Sequence, residues 1–244
     1  MIQKFIILII SCFDFFYQKK IINFLKKNIG NNFPILIDVG AHKGETIDLF
    51  AKNFNIKKII SFEASPISFN YLQKKIISLN TKYRQTEIIL ENLALGSENK
   101  DSEIKHLFES SSSTINEINH DSTYFKKKYR ILNLFNKKKL YETLKIKIIK
   151  LSEYFNQNNL EKIDFLKIDT EGYEYDVLKG LEDKITKVRF IMFEHHYDDM
   201  IKKNYTFGNM CDLLKMNNFK MIYKSKMPFR KTFEYIYINN HFDY

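Results

Sequence analysis

At 244 residues the chain is long enough for one α/β domain with a full core, and no proline- or glycine-rich linker divides it. With 44% hydrophobic and 28% charged residues it lies outside the disordered class, and its two isolated cysteines, Cys12 and Cys211, rule out a disulfide scaffold or a Cys-x-x-Cys metal site. The formal charge of +10 allows an anionic partner, but lysine is abundant throughout, whereas a nucleic-acid footprint would cluster on one face.

Phe5 to Tyr17 form an apolar run followed by Lys19-Lys20. A membrane-spanning helix needs about 20 apolar residues, and Asp14 interrupts this run. Three readings stay open: a helix packed on the domain, an interfacial anchor with its lysines on lipid headgroups, or a signal segment, although no small-x-small cleavage site follows. Residues 1–30 are therefore expected as a helical extension and 31–244 as the α/β domain. The cysteine usage suits a cytoplasmic setting, with peripheral membrane contact through the N-terminal segment as the open alternative.

Ile35 to Val39 is a continuous apolar run of strand length, as in a central parallel strand buried on both faces. It breaks into the turn Asp38-x-Gly40-x-x-x-Gly44, where two glycines permit positive φ and close approach of the backbone. A dinucleotide fingerprint reads G-x-G-x-x-G, and here His42 stands where its second glycine would fall. The larger side chain leaves less room for a pyrophosphate, so a cofactor without phosphate fits better. Asp38 supplies a negative charge for a cationic amino-acid moiety, and S-adenosylmethionine carries both an ammonium and a sulfonium. The alternative is an incidental glycine turn in some other α/β protein.

Ile47, Leu49, Phe50 and Phe54 give the next segment a helical apolar stripe. Lys58 to Glu63 reads as the second strand, with Glu63 at its carboxyl end placed to accept hydrogen bonds from ribose hydroxyls. Ser65-Pro66 opens a further helix as cap and first-turn proline, and Phe69, Leu72, Ile76 and Leu79 recur at helical spacing. The resulting β-α-β-α order is the doubly wound pattern. Glu87 to Leu95 is expected as a third strand, and Glu103 to Phe108 with Lys145 to Leu151 as a strand pair outside the core repeat. An insertion at about 109–144 contains the basic, aromatic stretch 116–143, which reads either as a lid for an anionic substrate or membrane-borne glycan, or as a solvated helix. Ile163 to Asp169 and Val188 to Glu194 follow as core strands, then a helix over Phe207 to Met216 and strands at Lys220 to Tyr223 and Glu234 to Ile238.

Five segments, in order between Pro34 and Glu194, are similar to the FkbM family of methyltransferases. They are I-D-V-G-A-x-x-G-E at 37–45, F-E-A-S-P at 62–66, N-L-A-L-G at 92–96, the serine cluster Ser110 to Ser113, and I-D-F-L-K-I-D-T-E-G-Y-E at 163–174. The resemblance implies a Rossmann-like, mostly parallel seven-stranded sheet with helices on both faces and an antiparallel last strand. It also implies S-adenosylmethionine as cofactor, a hydroxyl of a sugar, glycan or secondary metabolite as acceptor, and a place for Asn92 beside the adenine. An asparagine merely ending a strand is the plain alternative. His42 and Lys43 depart from the family's asparagine-containing turn, which works mainly through backbone amides.

Ligands of open α/β sheets bind outside the carboxyl ends of the strands. Those ends present Asp38, Glu63, Asn92, Asp169 and Glu194-His195-His196. Asp38, Gly40, Gly44, Glu63 and Asn92 are assigned to the cofactor. Asp169, Glu171, Glu194 and His195 are assigned to the acceptor, with His195 or Asp169 as the base that takes its proton. A divalent ion on Asp169 and Glu194, joined by His195, is the alternative. Lys167, two residues before Asp169 and so on the same strand face, reads as the structural partner of a carboxylate, and Glu171 as a helix cap or a substrate contact. Three rival functions remain. A nucleic-acid methyltransferase would lack the N/D-P-P-Y/F and Pro-Cys signatures here; the others are a nicotinamide-dependent oxidoreductase and a non-catalytic binding module.

Overall fold

The computed structural model describes residues 2–107, 113–127 and 141–242, and within its first helix the side chains from residue 13 onward. In chain order the elements are α1 (Ile2–Asn28), β1 (Ile35–Val39), α2 (Glu45–Asn53), β2 (Lys58–Phe62), α3 (Pro66–Lys82), β3 (Glu87–Glu91), β4 (Ala94–Leu95), β5 (Lys100–Leu107) and β6 (Ser113–Thr114). A helical stretch over residues 123–127 (α4) follows. Then come β7 (Tyr141–Ile149), α5 (Leu151–Gln157), β8 (Ile163–Ile168), α6 (Glu174–Lys179), a 3-10 turn (Glu182–Lys187), β9 (Val188–His196), α7 (Phe207–Met216), β10 (Phe219–Lys226) and β11 (Thr232–Asn239).

The main sheet has seven strands in the order β3-β2-β1-β8-β9-β11-β10. Its first five run parallel, and β11 is antiparallel to both β9 and β10. This is the expected doubly wound sheet, and the order reverses between β1 and β8, where a crevice opens at the carboxyl edge. All six residues of β8 are buried, as a central strand covered on both faces requires.

Strand alternation sorts the core into two layers. Leu36, Ile59, Phe165, Phe190 and Ile236 pack with Phe50 of α2, Leu72 of α3, and Tyr17, Ile21, Ile22 and Leu25 of α1. Ile37, Ile60, Leu166, Ile191 and Tyr235 face the other way, toward α5, α6, α7 and the second sheet. Four buried α1 residues at one-turn spacing make this helix part of the core; each fully buried large apolar side chain contributes roughly 1.5 to 3 kcal/mol. The helix extends past the apolar run, to Asn28. No helix of the described residues is long and apolar enough to cross a membrane.

The expected third strand, 87–95, is divided between two sheets. β3 continues the main sheet, whereas Ala94 and Leu95 pair with Ile148 and Ile149 in a four-stranded sheet ordered β4-β7-β5-β6. The break falls at Asn92, whose amide donates to the Glu63 carbonyl at 2.7 Å and so holds the bend against the end of β2. The expected outer strand pair is present as antiparallel β5 and β7, except that Leu151 already opens α5. Of the serine cluster only Ser113 lies within the described residues, and the basic run at 137–139 lies outside them.

Gly40 is required by contact as well as by conformation. Its φ is +86°, and a Cβ at this position would stand 1.9 Å from the carbonyl oxygen of Asp169. The turn after β1 thus passes directly against the end of β8, with Asp169 N–H donating to the Val39 carbonyl at 2.9 Å. Gly40→Ala should cost about 3 kcal/mol of unfolding free energy, since neither backbone segment can yield without moving a central strand. Gly30→Ala, at φ +102° with nothing near its Cβ position, should cost only about 1 to 2 kcal/mol. Urea denaturation of both variants checks this, and equal losses would show that the contact at Gly40 is not decisive.

Candidate active site

A cavity of about 350 Å³ opens at the carboxyl edge of the sheet, within the range of small-ligand pockets. Gly40, Ala41 and His42 line it from the turn after β1, Glu63 from the end of β2, Asp169, Thr170 and Glu171 from the end of β8, and Glu194 and Glu234 from β9 and β11. Asp14, Tyr17 and Gln18 of α1 close one side. Beside Glu63 lies an apolar slot of Phe62, Leu93, Leu95 and Ile104.

Glu63 is fixed before any ligand arrives. Its Oε2 accepts the His42 N–H at 2.7 Å and its Oε1 the Ser65 N–H at 2.8 Å. His42 reaches this position with φ +48°, so the glycine turn and the second strand are joined through one carboxylate. Burial pushes the Glu63 carboxyl up and these two amides oppose the shift. Each oxygen keeps a lone pair for a further donor.

A row of acidic side chains crosses the sheet beyond the switch point. Glu194 and Glu234 are direct cross-strand neighbours on β9 and β11, and Asp169 follows β8 immediately after the Ile168–Phe193 pair. Lys167 lies one rung inside this row, with its Nζ 3.1 Å from Asp169 Oδ2 and 4.0 Å from Asp38 Oδ1. It is the structural partner of a carboxylate that its strand position suggested. Glu234 is 6% exposed and its Oε2 has no hydrogen-bond partner. Like charges directly opposed on a sheet repel. Burial raises the Glu194 carboxyl well above the usual range, and Asp169 and Glu234 push it further; burial likewise lifts Glu234 to about 7, against the pull of Lys167.

The expected site residues divide. Gly40, Glu63, Asp169, Glu171 and Glu194 all line the cavity. Asp38 is fully buried behind its wall with neither oxygen hydrogen-bonded, and burial lifts its carboxyl to about 7 while Lys167 opposes the shift. Its charge therefore acts through the wall. Gly44, at φ +78°, caps α2 and faces Leu72, Ile47 and Leu79. Asn92 braces the Glu63 and Ala64 carbonyls and lines a separate shallow depression with Asp101 and Lys145.

His195 differs most from expectation. Alternation puts it on the sheet face opposite Glu194, where its ring lies 4.8 Å from Tyr197 and 5.2 Å from Phe207. Burial first, then Lys203 and His196, depress it to about 4, so it stays neutral among aromatic rings and away from the cavity. His196 is the histidine on the acidic side, with Nε2 3.3 Å from Glu171 Oε2 and 3.7 Å from Glu194 Oε2. Glu171 does not cap α6, which has no side-chain cap; Glu174, its first residue, instead ties down the preceding turn by accepting from the Thr170 and Gly172 amides. Among the described residues no group of three or more His, Cys, Asp or Glu side chains is arranged to hold a metal ion.

Sequence reasoning missed Glu234, His196 and the α1 wall. The signal for Glu234 was a lone carboxylate inside the apolar strand Thr232–Asn239, since a buried acid needs a partner or a function. For His196 it was the same parity rule that placed Lys167 beside Asp169.

The arrangement offers a twin-oxygen acceptor beside an apolar slot at one end. The other end holds four carboxylates, Asp38, Asp169, Glu194 and Glu234, around the single ammonium of Lys167. A cation bearing vicinal hydroxyls and a flat apolar group matches both. The acids also link stability to pH. Asp38 and Glu234 titrate near 7 in the folded chain and about 4 when unfolded. The folded state thus holds protons that the unfolded chain has released, so stability should fall as pH rises from about 4 to 7. Glu234→Gln should flatten that decline in thermal melts; an unchanged slope would place the linkage elsewhere.

Residues 38–221 match the Methyltransferase FkbM domain. Among solved structures, the chain superposes on a methyltransferase FkbM from Methylobacillus flagellatus with a TM-score of 0.59 at 12% identity, covering 88% of this chain and 46% of that one. It thus spans about half the length of that protein. A magnesium protoporphyrin IX methyltransferase from Synechocystis, solved with bound S-adenosylmethionine, superposes at 0.52 with 7% identity, covering 95% of this chain and 82% of that one. A protein of the NADB-Rossmann superfamily from Streptococcus agalactiae gives 0.50 at 13% identity, covering 93% and 69%. No curated protein matches the sequence. At these identities the solved structures speak to the fold, which is Rossmann-like, and the domain match covers most of the sequence. The chain belongs to the FkbM family of methyltransferases.

Proposed function

We propose that the chain transfers a methyl group from S-adenosylmethionine to a hydroxyl of a sugar, glycan or related small metabolite. The observation that carries this reading is Glu63: a buried carboxylate at the end of β2, held by two backbone amides and open to the cavity beside an apolar slot. It accepts the ribose hydroxyls while Phe62, Leu93 and Leu95 enclose the adenine. The amides of the glycine turn and the acidic row receive the charged methionine end. When bound, the cofactor supplies a methyl carbon activated by its sulfonium.

The chain's own residues then orient the acceptor oxygen and take its proton as the new oxygen–carbon bond forms and the carbon–sulfur bond breaks. Glu194 is placed for this task. Burial first, then Asp169 and Glu234, hold its carboxyl well above the usual range, which suits a proton acceptor, and it lines the cavity between Asp169 and Glu234. Asp169 and Glu171 position the acceptor, and His196 steadies the Glu171 and Glu194 carboxylates. This reading uses metal-free proton transfer. The acidic lining also favours it over the nucleic-acid and dinucleotide alternatives, because phosphates would meet the carboxylates.

Calorimetric titration with S-adenosylhomocysteine tests the cofactor. Glu63→Ala should weaken binding by about 1 to 3 kcal/mol, the worth of charge-assisted hydrogen bonds, and unchanged affinity would move the cofactor elsewhere. NADH should not bind; if it binds instead, the oxidoreductase reading gains. Methyl incorporation from labelled S-adenosylmethionine into a panel of glycosides tests the chemistry. Glu194→Gln should lower it on the order of a hundredfold with cofactor affinity retained, and His195→Phe should leave it near wild type. The reverse ranking would restore His195 as the base.

A further inference from the structure

The mouth of the cavity carries an exposed aromatic patch that the methyltransferase chemistry does not use. Phe13, Phe15 and Phe16 on α1 are 44%, 61% and 60% exposed, and Phe229 at the tip of the β10–β11 hairpin is 77% exposed. Phe13 meets Phe229 edge to face at 4.9 Å, and Phe15 lies 5.7 Å from Phe16. Four phenylalanines gathered on one rim are more than scattered surface apolarity. Phe229 is also held at φ +60°, a conformation unfavourable for a bulky aromatic residue, which presents its ring outward beside Phe13.

The patch adjoins the cavity directly. Asp14, between Phe13 and Phe15, and Arg230, next to Phe229, both line the cavity, and their side chains form an ion pair at 3.0 Å. Lysines border the aromatic rings: Lys19, Lys20 and Lys27 are exposed further along α1, and Lys231 is exposed after Arg230. The opposite side of α1, Tyr17, Ile21, Ile22 and Leu25, is buried in the core. Its outward side therefore passes from aromatic to basic within two turns, the composition of a helix that lies at a lipid–water boundary. In the sequence, residues 5–10 are Phe-Ile-Ile-Leu-Ile-Ile, and no helix of the described residues is long and apolar enough to cross a membrane.

We infer that the aromatic and lysine side of α1, with the tip of the β10–β11 hairpin, docks on an anionic phospholipid surface and sets the cavity mouth against it, so that the acceptor hydroxyl is one carried on a lipid. The phenylalanines enter the headgroup boundary, and the lysines meet the lipid charges. The docking surface stands on the patch itself; the lipid-borne acceptor rests on the methyltransferase reading.

Flotation of the full chain with vesicles of phosphatidylcholine alone, and of phosphatidylcholine mixed with phosphatidylglycerol, tests the docking. Wild type should float with the mixed vesicles and much less with the neutral ones. The triple variant Phe15→Ser, Phe16→Ser, Phe229→Ser should partition roughly tenfold more weakly, the order expected for losing partly inserted aromatic rings. Lys19→Gln with Lys20→Gln should erase the preference for the anionic lipid. S-adenosylhomocysteine titration of each variant, run in parallel, should be unchanged and shows that the domain is folded. Wild type that stays with neither vesicle, or a triple variant that floats as well as wild type, overturns the proposal. A wild-type dimer that the triple variant dissociates, without vesicle binding, overturns it in favour of a second copy as occupant. Vesicle binding without S-adenosylhomocysteine binding would keep the surface and sink the methyltransferase reading instead.

Discussion

The ammonium of Lys167 is the charge around which the carboxyl edge of this sheet is organised. Asp38, Asp169, Glu194 and Glu234 converge on it from four neighbouring strands or strand ends, all in a part of the molecule largely closed to solvent. Four clustered carboxylates, two of them buried and two half-buried, and one buried lysine cannot all be ionised without heavy desolvation cost. The groups respond by holding protons, and the raised affinities of Asp38, Glu194 and Glu234 express that compromise. A cationic ligand relieves the same imbalance. Crowded acids of this kind favour a positive charge beside them over a negative one. In a chain with a formal charge of +10, this pocket is acidic against the trend of its surface.

Much of the architecture was readable from local pattern. The strand runs at 35–39, 58–62 and 163–168 are largely apolar and short, and the latter two are followed at once by the carboxylates Glu63 and Asp169. These features follow from burial on both faces and from ligand binding at the carboxyl edge. Glu63 and Gly40 could be chosen because their roles depend on backbone position, which a strand–turn–helix sequence fixes. The split of 87–95 was not readable, because both halves are strands and the bend between them is held by Asn92, which donates to carbonyls 29 and 28 residues away. The strand periodicity alone carries no sign of that contact.

His195 stands away from the cavity, and Glu234 stands in it unforeseen, for different reasons. The choice of His195 rested on residue type, although adjacent strand residues point to opposite faces and Glu194 had already been given to the site. Of its ring contacts, Tyr197 lies two residues on, whereas Tyr205 and Phe207 reach it only because the chain after β9 folds back over that face. Glu234 required knowing that β11 inserts between β9 and β10, a topology that pairs it with Glu194. Parity was available from the sequence; the pairing was not.

The two ends of the described chain meet at this cavity. Tyr17 donates to the Ser225 carbonyl across 208 residues, and Asp14 pairs with Arg230 across 216. β11, the last described strand, supplies Glu234, and α1 supplies the wall beside it. Such contacts are among the most expensive to form in loop-closure entropy and among the last to appear as a chain collapses. On the ribosome the glycine turn and Glu63 can settle against each other early, since only 21 residues separate His42 from Glu63. The acidic end must wait for the hairpin. A nascent chain can thus settle the Glu63 end of the cavity well before the acidic end, which needs both α1 and β11, can form.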